Sequence, residues 1–154
     1  MKKFISTKRF SGFTCCFRQW RAKHTHCSFL HGYAISFKVY FEGDLDENNW
    51  VWDFGGMKRA KTQIDGKSPK EWMDYMFDHT LIVAEDDPFI KAFQQMEEAG
   101  VAQVRIIPAT GAEKFAEYIY NKLNKFVDTE TEGRVRVTKV KFMEHGKNAA
   151  CYVE

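Results

Sequence analysis

The stretch that decides the fold is His31-Gly32-Tyr33-Ala34-Ile35-Ser36-Phe37-Lys38-Val39-Tyr40-Phe41-Glu42. From Ile35 onward, apolar and polar side chains alternate one by one, which is typical of a β-strand with one buried and one solvated face. A polar turn follows at 43–49, and Trp50 to Phe54 predicts a short extended piece. Upstream, residues 9–20 are rich in aromatic side chains and predict another strand.

The middle of the chain carries helix signals. Residues 68–71 (Ser-Pro-Lys-Glu) have the order of a capping box with a first-turn proline, and Trp72 and Met76 then share a helical face. Asp87-Pro88 predicts the start of a second helix that Gly100 closes. Its predicted apolar stripe consists of Phe89, Phe93 and Met96.

A third helix is predicted after Thr110-Gly111-Ala112-Glu113, which has the spacing of another capping box. Its predicted apolar stripe consists of Phe115, Ile119, Leu123 and Phe126. This capping role explains Glu113 without any ligand.

Valine-rich residues 134–144 predict a strand, and a glycine turn leads into a last strand that ends near Val153. The apolar residues change parity between Val137 and Val140, so we expect a β-bulge near residue 138. Strands at both ends and helices between them predict a single α+β domain over residues 1–154.

Composition excludes several classes of protein. The net charge is only +2, too balanced for a nucleic-acid binder, and no apolar run is long enough to cross a bilayer. The four cysteines show neither a disulfide framework nor a zinc motif. With no secretory signal recognisable in the sequence, we expect a cytoplasmic protein with reduced thiols. Basic residues crowd the first 23 positions, either as a solvated edge or as a cradle for a small anion.

The residues that can carry proton transfer lie at turns and predicted strand ends. Cys27 lies in a polar turn beside histidines and basic side chains, where positive charge favours the reactive thiolate; the alternative is an inert cysteine. Asp78 can orient the imidazole of His79. Glu144 ends a strand, and a carboxylate there can accept two parallel hydrogen bonds from a guanidine-like ring edge, or simply be solvated.

Together, these segments resemble the 6-pyruvoyl-tetrahydropterin synthase and 6-carboxy-tetrahydropterin synthase family. The resemblance rests on Cys27-x-x-Leu-His31-Gly, on residues 50–54, on Phe-Asp78-His79, on Glu113 at a helix start and on Glu144, in family order and approximate spacing over residues 10–153. The Cys-x-x-Leu-His-Gly spacing is closer to the 6-carboxy branch.

The resemblance implies a T-fold: a four-stranded antiparallel sheet with helices on one face, whose subunits assemble edge to edge into a barrel, commonly a hexamer of two trimers. It implies a lyase that acts on 7,8-dihydroneopterin triphosphate and eliminates triphosphate, in 7-deazaguanine (queuosine-type) or pterin biosynthesis. Cys27 would be the base, His79 with Asp78 would assist from another subunit, and Glu144 would bind the pterin, with Glu113 nearby. From charge alone, we add Arg18 as a contact for the triphosphate.

One implied feature is altered. The family binds zinc through three histidines, and the matching positions here hold Phe17, His31 and Tyr33. A catalytic zinc normally has three protein ligands, and phenylalanine supplies none. Two alternatives follow: a zinc site rebuilt from His31 with His24 and His26, or a metal-free pocket. The second alternative describes a pterin-binding paralogue, either inactive or acting as an aldolase or epimerase.

Overall fold

The computed structural model describes residues 3–154. The strands are β1 (Phe4–Phe17), β2 (His31–Gly43), β3 (Thr80–Ala84), β4 (Val104–Ile107), β5 (Val135–His145) and β6 (Asn148–Val153). The helices are α1 (Gly56–Arg59), α2 (Pro69–Phe77), α3 (Ile90–Glu98) and α4 (Ala112–Glu130), and a short 3₁₀ turn spans His26–Ser28. No helix in this described part of the chain is both long and apolar enough to cross a membrane.

The sheet has six strands in the order β4-β3-β1-β2-β5-β6. Four of them, β1, β2, β5 and β6, pair antiparallel, as the sequence predicts. The prediction of a four-stranded antiparallel sheet was nevertheless wrong, because β3 and β4 extend the sheet beyond β1 in parallel register. All five residues of β3 are buried, so this strand lacks the alternation that reveals a half-exposed strand.

The main core lies between one face of the sheet and the helices α2 and α4. Trp72 and Met76 of α2 are buried, as predicted, and so is the whole predicted stripe of α4. The bulge falls where it was expected: Tyr40 pairs with Lys139 and Phe41 with Val137, which leaves Thr138 as the extra residue. As a result, Val135, Val137, Val140 and Phe142 are all fully buried.

Helix α3 covers the opposite face of the sheet, so the prediction of helices on one face only was also wrong. Phe93 packs there with Leu81 and Val83 of β3 and Val104 of β4. The predicted stripe of α3 is only partly correct, because Phe89 and Met96 are exposed and the helix begins at Ile90. Two added parallel strands leave apolar side chains on this second face, and α3 removes them from water.

Two local predictions are corrected. Residues 50–54 form an irregular loop rather than a strand, although Val51 and Trp52 are buried in the main core. Helix α4 has no capping box: its N-cap is Gly111 in a left-handed conformation (φ 113°), and no side chain caps it. The Thr110 hydroxyl instead donates a hydrogen bond to the carbonyl of Arg18. By contrast, the capping box between Ser68 and Glu71 is present at α2.

Candidate functional site

The candidate site lies at one end of the sheet, on the face that carries α2 and α4. Here β1 ends and β2 begins, and Phe17 pairs with His31 while Cys15 pairs with Tyr33. Helix α4 also begins here, because the ring of Phe115 meets the ring of Phe17 edge-on at 4.8 Å. Residues directly opposite each other on paired strands share a face. Three separate segments of the chain therefore meet at this end of the sheet.

The turn that carries Cys27 is fastened to the same place. The backbone N–H of Gln19 donates to the carbonyl of Cys27 at 2.8 Å, and the Gln19 side chain lies against Gly111 at the start of α4. Thr25 caps the 3₁₀ turn by accepting a hydrogen bond from the N–H of Cys27. The thiol of Cys27 is exposed, which a reactive cysteine requires.

Tyr33 lies near several of the predicted site residues at once. Its ring lies 5.1 Å from the ring of His31 and 5.5 Å from that of His145, measured between centroids. Burial raises the pKa of the Tyr33 hydroxyl, and the negative charges of Glu144 and Cys27 raise it further. Tyr33 therefore stays protonated at neutral pH and remains a hydrogen-bond donor. The sequence placed Tyr33 at a lost ligand position but missed this central location.

Glu144 belongs to the same cluster. It is half-buried on β5, and it is the extra residue at an irregularity in the pairing of β5 with β6. Its charge contributes to the raised pKa of Tyr33, because the two side chains lie near each other. Its charge also acts on Cys15, whose pKa is raised to about 12 by burial, by Cys16 and by Glu144, in that order. Cys15 is thus an unreactive core thiol, and Cys27 is the accessible cysteine of the cluster.

Asp78 and His79 lie at the edge of a neighbouring cleft. The Asp78 carboxylate is 3.1 Å from Nδ1 of His79 and also accepts a hydrogen bond from the N–H of Thr14. His79 has a left-handed backbone (φ 57°), and its N–H donates to the Thr14 carbonyl. The cleft has a volume of about 480 Å³ and is lined by Thr14, Cys15, Cys16, Gly32, Tyr33, Ala34, His79 and Thr80.

The imidazole of His79 is largely exposed, with 78% of the side chain open to solvent. Within residues 3–154, no hydrogen bond or ion pair joins the Asp78–His79 pair to Cys27 or Glu144. One chain thus presents two half-sites, the cluster around Cys27 and Glu144 and the Asp78–His79 pair, and Tyr33 borders both.

Arg18 has a different environment from the one the sequence suggested. Its guanidinium makes two hydrogen bonds, at 2.7 and 2.8 Å, to the carboxylate of Asp87, whose side chain is 1% exposed. It also donates to the carbonyl of Ser28 and lies over the ring of Phe89. These contacts account for Arg18 as a structural residue, and we leave it out of the proposed site.

Glu113 lies in the first turn of α4 and is exposed, where its negative charge interacts favourably with the positive end of the helix dipole. His24 and His26 are both exposed on the turn before β2, and the ring of His26 lies 6.2 Å from that of Phe29.

The side chains at the site do not fit the zinc that the resemblance implies. Nδ1 of His31 lies 2.8 Å from the carbonyl oxygen of Phe29; because a carbonyl only accepts, Nδ1 carries the hydrogen and Nε2 is the free nitrogen. The other two positions hold Phe17 and Tyr33, whose phenyl and phenol rings have no nitrogen to bind zinc. Across residues 3–154, no group of three or more His, Cys, Asp or Glu side chains is placed to hold a metal ion.

These features define an α+β protein of the T-fold class with a cluster of acid–base side chains at one end of its sheet. A family model, 6-pyruvoyl tetrahydropterin synthase, matches residues 6–154. The chain therefore belongs to the 6-pyruvoyl tetrahydropterin synthase family. The comparison with curated proteins gave no match.

Solved structures share the fold. An uncharacterized protein from Wolinella succinogenes superposes with a TM-score of 0.80 at 18% identity, covering 100% of this chain and 99% of that one. The 6-pyruvoyl tetrahydropterin synthase of Caenorhabditis elegans gives 0.63 at 18% identity, with coverages of 100% and 97%. That of Plasmodium vivax gives 0.64 at 16% identity, with 98% of each chain covered.

Proposed function

We propose that this protein is a tetrahydropterin synthase-type lyase that acts on 7,8-dihydroneopterin triphosphate and eliminates triphosphate. The 6-carboxy-tetrahydropterin branch, which serves 7-deazaguanine or pterin biosynthesis, is the form favoured by the Cys-x-x-Leu-His-Gly spacing. The observation that carries the proposal is the meeting of Cys27 and Tyr33, from the turn before β2 and the start of β2, with Glu144 from the distant strand β5, beside the start of α4. Family membership supports the class of reaction.

Each side chain has a role suited to its surroundings. The exposed Cys27, as its thiolate, is the base: the sulfur takes a proton from the substrate side chain and becomes the thiol, while triphosphate leaves from the neighbouring carbon. Half-buried Glu144 accepts hydrogen bonds from the amino-pyrimidine edge of the pterin, and Glu113 lies at the nearby helix start. No step is assigned to a metal.

The Asp78–His79 pair acts as the second proton carrier, and we place it in the site of a neighbouring subunit. Its exposure supports this assignment, as does the absence, within residues 3–154, of a hydrogen bond or ion pair from it to Cys27 or Glu144. The free edges of the sheet, β6 and the part of β1 before residue 14, support edge-to-edge assembly into a barrel, which we propose to be a hexamer of two trimers.

An assay of triphosphate release from 7,8-dihydroneopterin triphosphate tests the lyase. We expect release by the wild-type protein and a loss of at least a hundredfold for Cys27→Ala, because a positioned general base contributes about 10²–10⁴-fold. Cys151→Ala is the matched control, since Cys151 is also an exposed free cysteine but lies on β6. Full activity in Cys27→Ala, or no release by the wild type with or without added zinc, contradicts the proposal.

A second candidate is a metal-free pterin-binding paralogue, inactive or with aldolase- or epimerase-type activity. The rings of Phe17 and Tyr33 at two former ligand positions favour it. Both candidates require Glu144 to bind the pterin, so Glu144→Ala should abolish quenching of pterin fluorescence. Glu98→Ala, on the exposed side of α3, should leave quenching unchanged. Quenching with no turnover of any dihydroneopterin phosphate selects the second candidate.

A further inference from the structure

Three aromatic side chains, Phe17, His31 and Tyr33, pack together at the candidate site, and of these only His31 has a ring nitrogen that could bind a metal. The ring centroids of Phe17 and His31 are 4.8 Å apart, those of His31 and Tyr33 are 5.1 Å apart, and those of Phe17 and Tyr33 are 5.9 Å apart. With Zn–N bonds of about 2.0–2.1 Å, three imidazoles in a tetrahedral site have centroids roughly 5 Å apart. The three ring centroids thus lie at about the mutual distances that three zinc-bound imidazoles would have.

The three rings carry groups that suit an organic ligand better than a metal ion. Phe17 is fully buried and offers only its ring, which contacts His31, Tyr33 and Phe115. His31 is oriented by the Phe29 carbonyl, which leaves Nε2 free, and Tyr33 offers a hydroxyl that can donate a hydrogen bond. This set supplies two polar groups packed against a buried aromatic ring, in place of three nitrogen ligands.

We propose that the metal site of this fold has been converted here into a metal-independent binding site, in which Tyr33 and His31 hydrogen-bond the side-chain oxygens of the ligand. The ligand class is a planar heterocycle that carries a hydroxylated side chain. This ligand assignment rests on the proposed function, because Glu144 beside the cluster is the group that binds the heterocycle. The conversion itself rests only on the geometry of the three rings.

Zinc binding tests the conversion without any measurement of activity. Protein stripped with a chelator is titrated with zinc chloride in competition with a fluorescent zinc indicator. The wild-type chain should take up far less than one zinc per chain. The double variant Phe17→His/Tyr33→His should take up about one, because it restores three imidazoles at the same spacing.

Either of two results overturns the conversion: one tightly bound zinc in the wild type that His31→Ala removes, or no gain of zinc in a folded double variant. Because Phe17→His places a polar ring in a fully buried position, the double variant can fail to fold. In that case the single variant Tyr33→His provides the test, since it adds a second imidazole two residues after His31, on the same face of β2. Its zinc affinity should exceed that of the wild type at least tenfold, and an unchanged affinity overturns the proposal.

The role of Tyr33 is tested with two ligands that differ only in their side chain, pterin and neopterin. Loss of one hydrogen bond should weaken neopterin binding by Tyr33→Phe about three- to tenfold while leaving bare pterin unaffected. Tyr40→Phe, half-buried on the same strand outside the cluster, is the matched control. Equal weakening for both ligands, or none for either, overturns the assignment of Tyr33.

The zinc titration and the ligand-binding measurements test separate parts of the proposal, and either part can be wrong without the other. If wild-type protein binds neither pterin nor neopterin, the proposed function and the ligand assignment fail, while the zinc titration still decides whether the metal site was converted. If zinc binds the wild type and pterin binding persists, only the conversion fails.

Discussion

The ion pair between Arg18 and Asp87 shows how one buried carboxylate changes the interpretation of a basic residue. The two lie 69 positions apart, and their ion pair joins the end of β1 to the turn before α3. Burial by itself raises the pKa of Asp87, but hydrogen bonds from Arg18 and from the N–H of Phe89, together with the guanidinium charge, leave it below its usual value. The pair anchors the segment that leads from β1 to Cys27.

We expect Asp87→Ala to lower the free energy of unfolding by about 3 kcal/mol, because it leaves a largely buried guanidinium without its partner. Urea unfolding of the variant measures this change. Asp86→Ala is the matched control: Asp86 pairs with Arg21 at the exposed surface, where ion pairs contribute little. Equal stability of Asp87→Ala and the wild type contradicts the anchoring role.

The same pair predicts a dependence on pH. The pKa of Asp87 is lower in the folded protein than in the unfolded chain, so the pair stabilises the fold above the unfolded value of about 3.9. This stabilisation decreases as the pH falls through the folded pKa. The difference in unfolding free energy between wild type and Asp87→Ala should therefore be largest near neutral pH and shrink below pH about 4.

At the scale of elements, the bulge in β5 sets which side chains enter the core. Thr138 is the extra residue between Val137 and Val140, and it lets valines of both parities face α4. Without it, the strand beyond the bulge would turn its apolar side chains away from the core, since a one-residue shift reverses every side chain.

Deletion of Thr138 should therefore prevent folding, and circular dichroism with size-exclusion chromatography would show loss of the native protein. Thr138→Ser keeps the residue count and should retain the native spectrum. A folded, pterin-binding deletion variant would mean that the register beyond Val137 is not fixed by this residue.

At the scale of the whole molecule, the open edges of the sheet are the dominant feature. Strand β1 pairs with β3 only through Cys15–Phe17, so its earlier part has β2 alone as a neighbour among the described strands. Exposed apolar side chains lie at both edges, including Ile5 on β1 and Val153 on β6. Open, apolar edges are ready to pair with further copies of the chain.

We expect light scattering to give an oligomeric mass for the wild type and a lower mass for the double variant Ile5→Lys/Val153→Lys, because buried lysines at the edges oppose pairing. Val101→Lys is the control, since Val101 is at least as exposed but lies in the loop after α3. A monomeric wild-type protein contradicts the assembly and, with it, the shared site that includes His79.

The sequence by itself determined β2 from its alternation, α2 and α4 from their apolar stripes and the bulge near residue 138 from a change of parity, because each of these patterns is local. It also predicted β1 from aromatic residues over 9–20, although the strand spans Phe4–Phe17, and β5 and β6 from valine content and a glycine turn. It also identified Cys27, Asp78, His79 and Glu144 as candidates from residue chemistry and spacing. Strands β3 and β4 left no such period, since β3 is buried throughout.

Only the tertiary structure decided the partners. It paired Arg18 with Asp87 and placed Tyr33 near both Glu144 and His31. It also packed the ring of Phe17 against those of His31 and Tyr33. Such contacts join segments far apart in the chain, and they depend on strand register and helix placement, which no local pattern encodes.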